Sequence, residues 1–308
     1  MTSVALDRPD RTFLPGELIT GRGPRDVPIK VRCVCRTSGR GDAEEGAAPA
    51  VAAAPDGTFR LAAPGAPASF VGEVARWDWF LEAIDAKGDV IASVPIAIRN
   101  PPGLEVRAAQ SDASRARAAR RETRALRIVI TLLTACGVAM VHGLMNDARY
   151  WIAGLVVGLL LLPSTVGLVL SFLTSRKIGH ARIAVVQEGD HLACTVSLAA
   201  NAKISAVRAT LQVRERTQRH IPDQGPDERE HVIHHAQIQL ATEGSGEWRG
   251  RLPIPTGPAS VSWASSQISW HVYVRVVIPR FPDDERSIAL VALPSSGPGA
   301  EHGPRWVW

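Results

Sequence analysis

Two long apolar runs near the middle of the chain constrain its fold more than any other feature. Ile128 to Met145 and Trp151 to Leu173 carry no formal charge, and only Asn146, Asp147, Ala148, Arg149 and Tyr150 separate them. A helix rises ~1.5 Å per residue, so a hydrocarbon core of ~30 Å takes roughly 20 residues. The runs are 18 and 23 residues long. Leu155 to Leu162 is apolar all round, without the polar stripe of a helix on a soluble core. The expectation is a transmembrane helical hairpin over 128–173, rather than a buried hairpin.

The charges flanking this block set an expected orientation. Arg115, Arg117, Arg120, Arg121, Arg124 and Arg127 precede the first run, and Arg176 and Lys177 follow the second, whereas the turn holds only Arg149 beside Asp147. Positive flanks stay on the cytoplasmic side. The expectation is an integral inner-membrane protein with two spans and both termini cytoplasmic. These eight basic residues form a collar suited to anionic lipid headgroups, at ~1 kcal/mol per basic residue near the surface. The net charge of +5 comes largely from this collar, and no aromatic platform interleaves it, so nucleic acid is not expected. Gly154 and Gly158 form a GxxxG pair for close helix packing. Residues 1–30 lack an apolar leader, and the four cysteines are too scattered for a disulfide framework. Cys33 and Cys35 alternate along an expected strand and read as reduced core thiols. High Ala, Arg, Gly and Pro content points to a bacterial source.

Outside this block the pattern is β. Ile268, Trp270, Val272, Val274, Val276 and Ile278 occupy alternate positions, as do Trp77, Trp79, Leu81 and Ala83. Period-two alternation predicts strands with one buried face. The two strands belong to an internal repeat. A shift of 191 residues aligns Arg60, Leu61, Pro64, Pro67, Ala68, Ser69 and Trp79 with Arg251, Leu252, Pro255, Pro258, Ala259, Ser260 and Trp270, seven identities in 20 positions. The shared pattern is P-x-x-P-A-S followed by a Trp-centred strand. The halves also open alike, with Gly16-Glu17 and Gly189-Asp190 each placed before a strand.

The segments F-L-P-G-E-L-I-T-G (13–21), L-A-A-P-G-A-P-A-S-F-V-G (61–72) with W-D-W-F-L-E-A, and L-P-I-P-T-G-P-A-S-V (252–261) with I-S-W-H-V-Y-V-R-V resemble arrestin-like domains. The resemblance covers about two-thirds of the chain outside the apolar block. It implies two antiparallel β-sandwiches and a non-enzymatic adaptor. It carries over no receptor, clathrin or phosphate contacts, because no residues match them.

The expected fold class is therefore mainly β with a transmembrane α-hairpin and two arrestin-like or immunoglobulin-like sandwiches. The expected parts are an N-terminal sandwich (1–103), a basic juxtamembrane helix (104–127), the hairpin (128–173), a C-terminal sandwich (176–298) and a flexible tail (299–308). Thr37 to Asp56 reads as an inserted loop, whose Arg40-Gly41-Asp42 is a chance adhesion motif, and Gln218 to Glu230 reads as a polar loop.

Signals for chemistry are weak. A strand through E-H-V-I-H-H puts His231 and His235 on one face and His234 on the other, which gathers no metal set. There is no G-x-S-x-G elbow, P-loop or H-E-x-x-H. No catalytic residue, cofactor or metal is expected. Trp306 and Trp308 end the chain as W-V-W, suited to packing on a sandwich, touching a bilayer or contacting a partner. Expected partners are proteins and anionic lipids, with a homo-oligomer or a subunit of a larger membrane complex as the assembly. The expected function is a membrane-anchored scaffold presenting two cytoplasmic domains. The alternative is an accessory subunit held mainly through the hairpin.

Overall fold

The computed structural model describes residues 3–109, 178 and 181–294, apart from residues 26, 200–202, 223, 245, 264 and 280. Strands dominate, in two lobes. The first lobe contains β1 (Ala5–Leu6), β2 (Thr12–Phe13), β3 (Leu18–Arg22), β4 (Lys30–Gly39), β5 (Glu45–Ala47), β6 (Val51–Ala52), β7 (Thr58–Ala62), β8 (Phe70–Val71), β9 (Ala75–Ile84) and β10 (Val90–Ile98). One sheet runs β1-β3-β7. The other runs β2-β10-β9-β4-β5, with β6 also on β4 and β8 on β9.

The second lobe contains β11 (Leu104–Ala108), β12 (Ala181–Glu188), β13 (His191–Leu198), β14 (Ala206–Ile221), β15 (Gly225–Gln239), β16 (Ala241–Thr242), β17 (Glu247–Pro253), β18 (Val261–Trp263), β19 (Ser266–Val277) and β20 (Asp284–Pro294). Its sheets run β12-β13-β17-β16 and β11-β20-β19-β14-β15, with β18 on β19.

Alternation along the strands places the core between the sheets. In the first lobe Ile19, Phe59 and Leu61 face Val31, Cys33, Cys35, Trp79 and Leu81. In the second, Leu192, Cys194, Val196 and Leu252 face Leu211, Val213, Trp270, Val272 and Val274. Each fully buried aliphatic side chain stabilises the fold by about 1.5–3 kcal/mol. The two Gly-acid turns adopt one conformation, with positive φ at Gly16 (77°) and Gly189 (65°), where a side chain would strain the backbone. In each, the acid's carbonyl accepts an amide far along the chain: Ala63, 46 residues on, donates to Glu17, and Ile254, 64 residues on, donates to Asp190.

Several expectations are corrected. No helix among the described residues is long and apolar enough to cross a membrane, and the described chain is strand and turn. The transmembrane α-hairpin, and the two-span inner-membrane placement that depended on it, are not supported. The physical reason is that apolar residues in the described chain recur with period two and are buried between sheets, so backbone groups pair in ladders rather than within helices. Residues 128–173 themselves, including Gly154 and Gly158, lie outside the described residues.

The expected helix over 104–127 begins instead as strand β11, which pairs antiparallel with β20 from Leu104↔Pro294 to Ala108↔Leu290. Gln187 on β12 clips this strand, accepting the Val106 amide at 2.6 Å and donating to the Leu104 carbonyl at 2.9 Å. Both ends of residues 110–180 therefore attach to the second lobe. The apolar block is inserted within that lobe, and the junction between lobes falls at Asn100–Gly103.

The two expected loops are also shorter than read. β4 runs on to Gly39, and β5 and β6 add short pairings to it. The hairpin of β14 and β15 stays paired to Ile221↔Gly225, so most of Gln218–Glu230 is ladder.

Candidate functional site between the two repeated turns

The repeated P-x-x-P-A-S motif builds one device twice. The Trp79 indole N–H donates to the Pro67 carbonyl at 2.8 Å, and the Trp270 indole N–H donates to the Pro258 carbonyl at 3.1 Å. The Ser69 hydroxyl accepts the Ile98 amide and the Ser260 hydroxyl accepts the Ala292 amide, both at 2.9 Å. The serine amides donate back to the same two residues, Ser69 to Ile98 and Ser260 to Ala292. Each turn is thus tied to a core tryptophan and to the last strand of its lobe. This explains why Pro, Ser and Trp recur together: the proline carbonyl satisfies a buried indole, and the serine closes the strand edge.

The two turns face each other across a groove of about 420 Å³. Residues 65–70 form one wall and 257–261 the other, with Trp77, Arg99, Asn100, Leu293 and Pro294 completing it. Phe70 leans on Trp77, ring centroids 5.3 Å apart and tilted 42°. The lining is largely Ala, Gly, Pro, aromatic and aliphatic, with two hydroxyls, Asn100 and the exposed Arg99 as polar groups.

The lobes are pinned together beside this groove. Glu215 on β14 is fully buried, and its carboxylate accepts the Glu73 amide at 2.8 Å and the Ala75 amide at 3.2 Å from the first lobe. Gly72 permits the approach, since a Cβ there would lie 2.1 Å from Glu215 Oε2. A second clamp uses Asp42. Its carboxylate accepts the His220 amide at 3.0 Å, its amide donates to the Gln218 carbonyl at 3.3 Å, and its carbonyl accepts the Ser265 hydroxyl at 3.2 Å. The Asp of Arg40-Gly41-Asp42 is therefore engaged between the lobes.

Sequence reading missed Glu215, although a signal exists. Val207, Ala209, Leu211 and Val213 point inward on β14, and the next inward position is an acid. Nothing in the sequence reveals its partners, which lie 142 and 140 residues away.

The histidines are rearranged by a bulge. On β15, His234 pairs with Val213 but Val232 pairs with Arg214, so Ile233 is the extra residue. This flips the phase: His231, opposite Glu215, shares a face with His234, while His235, opposite Gln212, points the other way. Burial, and then neighbouring His235, hold His234 below the usual histidine range. Among the described residues no group of three or more His, Cys, Asp or Glu is placed to hold a metal.

Cys33, Cys35 and Cys194 are buried and free. Burial pushes the Cys33 thiol up to about 12 and Cys194 up to about 11, and raises Cys35 as well. Protonated thiols are poor nucleophiles and poor metal ligands. Trp79 and Trp270 are core, as expected. The basic collar (Arg115, Arg117, Arg120, Arg121, Arg124, Arg127, Arg176, Lys177) and Trp306 and Trp308 lie outside the described residues.

No protein-family model matches the chain, and no curated protein matches it. The arrestin-like resemblance rests on the quoted motifs alone.

Proposed function

We propose that this chain is a two-lobed, arrestin-like adaptor without chemistry of its own, which holds an extended, proline-containing segment of a protein partner in the groove between its repeated turns. The observation that carries this reading is the groove itself. Both copies of the turn line it, each braced by a core tryptophan, and Glu215 and Asp42 hold the two lobes together. A braced groove binds without the ordering cost that a loose one incurs. Walls of Ala, Pro, Phe and Trp with a few hydroxyls suit an extended proline-rich backbone, which has its carbonyls free and its conformation set in advance.

The test is to pan a displayed library of linear peptides against the purified full chain. Ala259→Trp and Ala68→Trp, which fill the groove from opposite walls, serve as counter-selections. Enrichment of proline-containing peptides that both variants fail to bind supports the adaptor reading. No enrichment, or enrichment unchanged by both variants, sinks it.

A further inference from the structure

The groove is built from two copies of one turn, but its charge is not repeated. Ser69 is tied to Ile98 and Ser260 to Ala292, and the two residues after each tie also line the groove. Beside the Pro67 turn they are Arg99 and Asn100. Beside the Pro258 turn they are Leu293 and Pro294. One wall thus carries a cation and an amide where the other carries two apolar side chains. Among the described residues, Arg99 is the only formally charged member of the lining.

Arg99 is placed to act as a fixed point. Its amide donates to the Phe13 carbonyl at 2.9 Å. The residue before it, Ile98, is fully buried and exchanges two hydrogen bonds with Ser69. The Arg99 side chain is exposed, and among the described residues no carboxylate forms an ion pair with it, whereas Arg8, Arg32 and Arg36 are each paired with a glutamate. A guanidinium offers its donors in a fork that matches a carboxylate. The apolar walls, by contrast, give an extended proline-rich segment little to fix its register, because that conformation repeats about every three residues.

We infer that the groove selects a proline-containing segment that carries an acidic side chain, whose carboxylate pairs with Arg99 beside the Pro67 turn and sets the register of the segment. This rests on the reading of the groove as a site for proline-containing segments, and it names the class of segment that fits. The proline turns supply contact area without preference for charge. Arg99 determines specificity, since a basic residue at the same place in the segment sets two like charges against each other.

The experiment measures, by fluorescence anisotropy, the binding of short proline–alanine peptides to the purified full chain. The peptides are acetylated and amidated at their ends, and glutamate, glutamine or lysine is placed at each position in turn. Glutamate at one position should tighten binding about three- to tenfold over glutamine there, between the worth of an exposed ion pair and that of a charge-assisted hydrogen bond. Lysine there should bind most weakly, and the gain from glutamate should shrink as salt is raised. Arg99→Leu, which gives the Pro67 side the residue found on the other wall, should bind the glutamate and glutamine peptides alike. Arg99→Glu should reverse the order and favour lysine, which loss of structure would not do. Binding of the peptides without any preference for glutamate overturns the inference but leaves the groove as a proline-segment site. A glutamate preference that survives both variants also overturns it. So does a gain seen only with a non-amidated control set, which would assign Arg99 to a terminal carboxylate. Binding of none of the peptides overturns both readings.

Discussion

Opposite Trp77 in the first lobe stands Thr37, and opposite Ile268 in the second stands Glu215. The two positions match, since Trp77 and Ile268 are 191 residues apart in the repeat. Thr37 closes its own loop, accepting the Glu44 amide at 2.7 Å and donating to that residue's carbonyl. Glu215 instead reaches into the other lobe for the Glu73 and Ala75 amides. One inward polar position thus serves a loop in one copy and the junction in the other. The difference teaches that two lobes carrying one sequence repeat are joined through an inward position at which the copies differ.

Elsewhere the copies keep the same chemistry. Arg36 lies 4.8 Å from the centre of the Phe80 ring and pairs with Glu45, while Arg214 lies 5.0 Å from the Tyr273 ring centre and pairs with Glu230. Arg36 and Arg214 sit at matching registers, beside Cys35↔Trp79 and Val213↔Trp270. The first lobe adds a fully buried acid, Glu82, which both Arg32 and Arg36 satisfy.

The largest test of equivalence is at the core tryptophans. Trp79→Ala and Trp270→Ala should each cost about 3–5 kcal/mol in denaturant unfolding. Loss from only one would show that the lobes do not depend on the motif alike. Next is the junction. Glu215→Ala strands the buried Ala75 amide, at about 1–3 kcal/mol, and frees the half-buried Glu73 amide, so hydrogen exchange at Glu73 and Ala75 should accelerate. Unchanged protection there would mean that Asp42 alone holds the lobes.

Smaller effects belong to the serines. Ser69→Ala and Ser260→Ala should each destabilise by about 0.5–1.5 kcal/mol, with thermal unfolding as the readout. A clear inequality would identify which turn bears on the groove.

The smallest effect is a pH dependence confined to the second lobe. His271 stands where the first lobe has Phe80, and it is held below the usual histidine range, first by burial and then by the Arg214 charge. Its neutral form is favoured on folding, so the unfolded chain takes up the proton first. This contribution is present above the ordinary histidine value of ~6.5 and declines as pH falls through it. His271→Gln should flatten that acid-side decline, measured as unfolding midpoint against pH. An unchanged slope would assign it to His234, which is shifted in the same direction.

Much of the β architecture was legible in the residues. Alternation found β9 and β19 and their inward tryptophans, and the repeat found the two turns that became the groove walls. The junction, the bulge at Ile233 and strand β11 were not legible. Ala-rich, Arg-rich sequence around Leu104–Ala108 has helical propensity, but β20 offers that segment an open ladder, and tertiary pairing overrides weak local preference.

By itself the sequence determined that this chain carries two copies of a β unit, each with a Gly-acid turn and a tryptophan-braced proline turn, because those features depend on near neighbours and on a period of two. Only the tertiary structure decided that the turns confront each other, that Glu215 and Asp42 pin the lobes, and that the long apolar block is inserted within the second lobe. Those outcomes depend on which strands meet and in what register, and contacts more than 140 residues apart leave no local pattern to read.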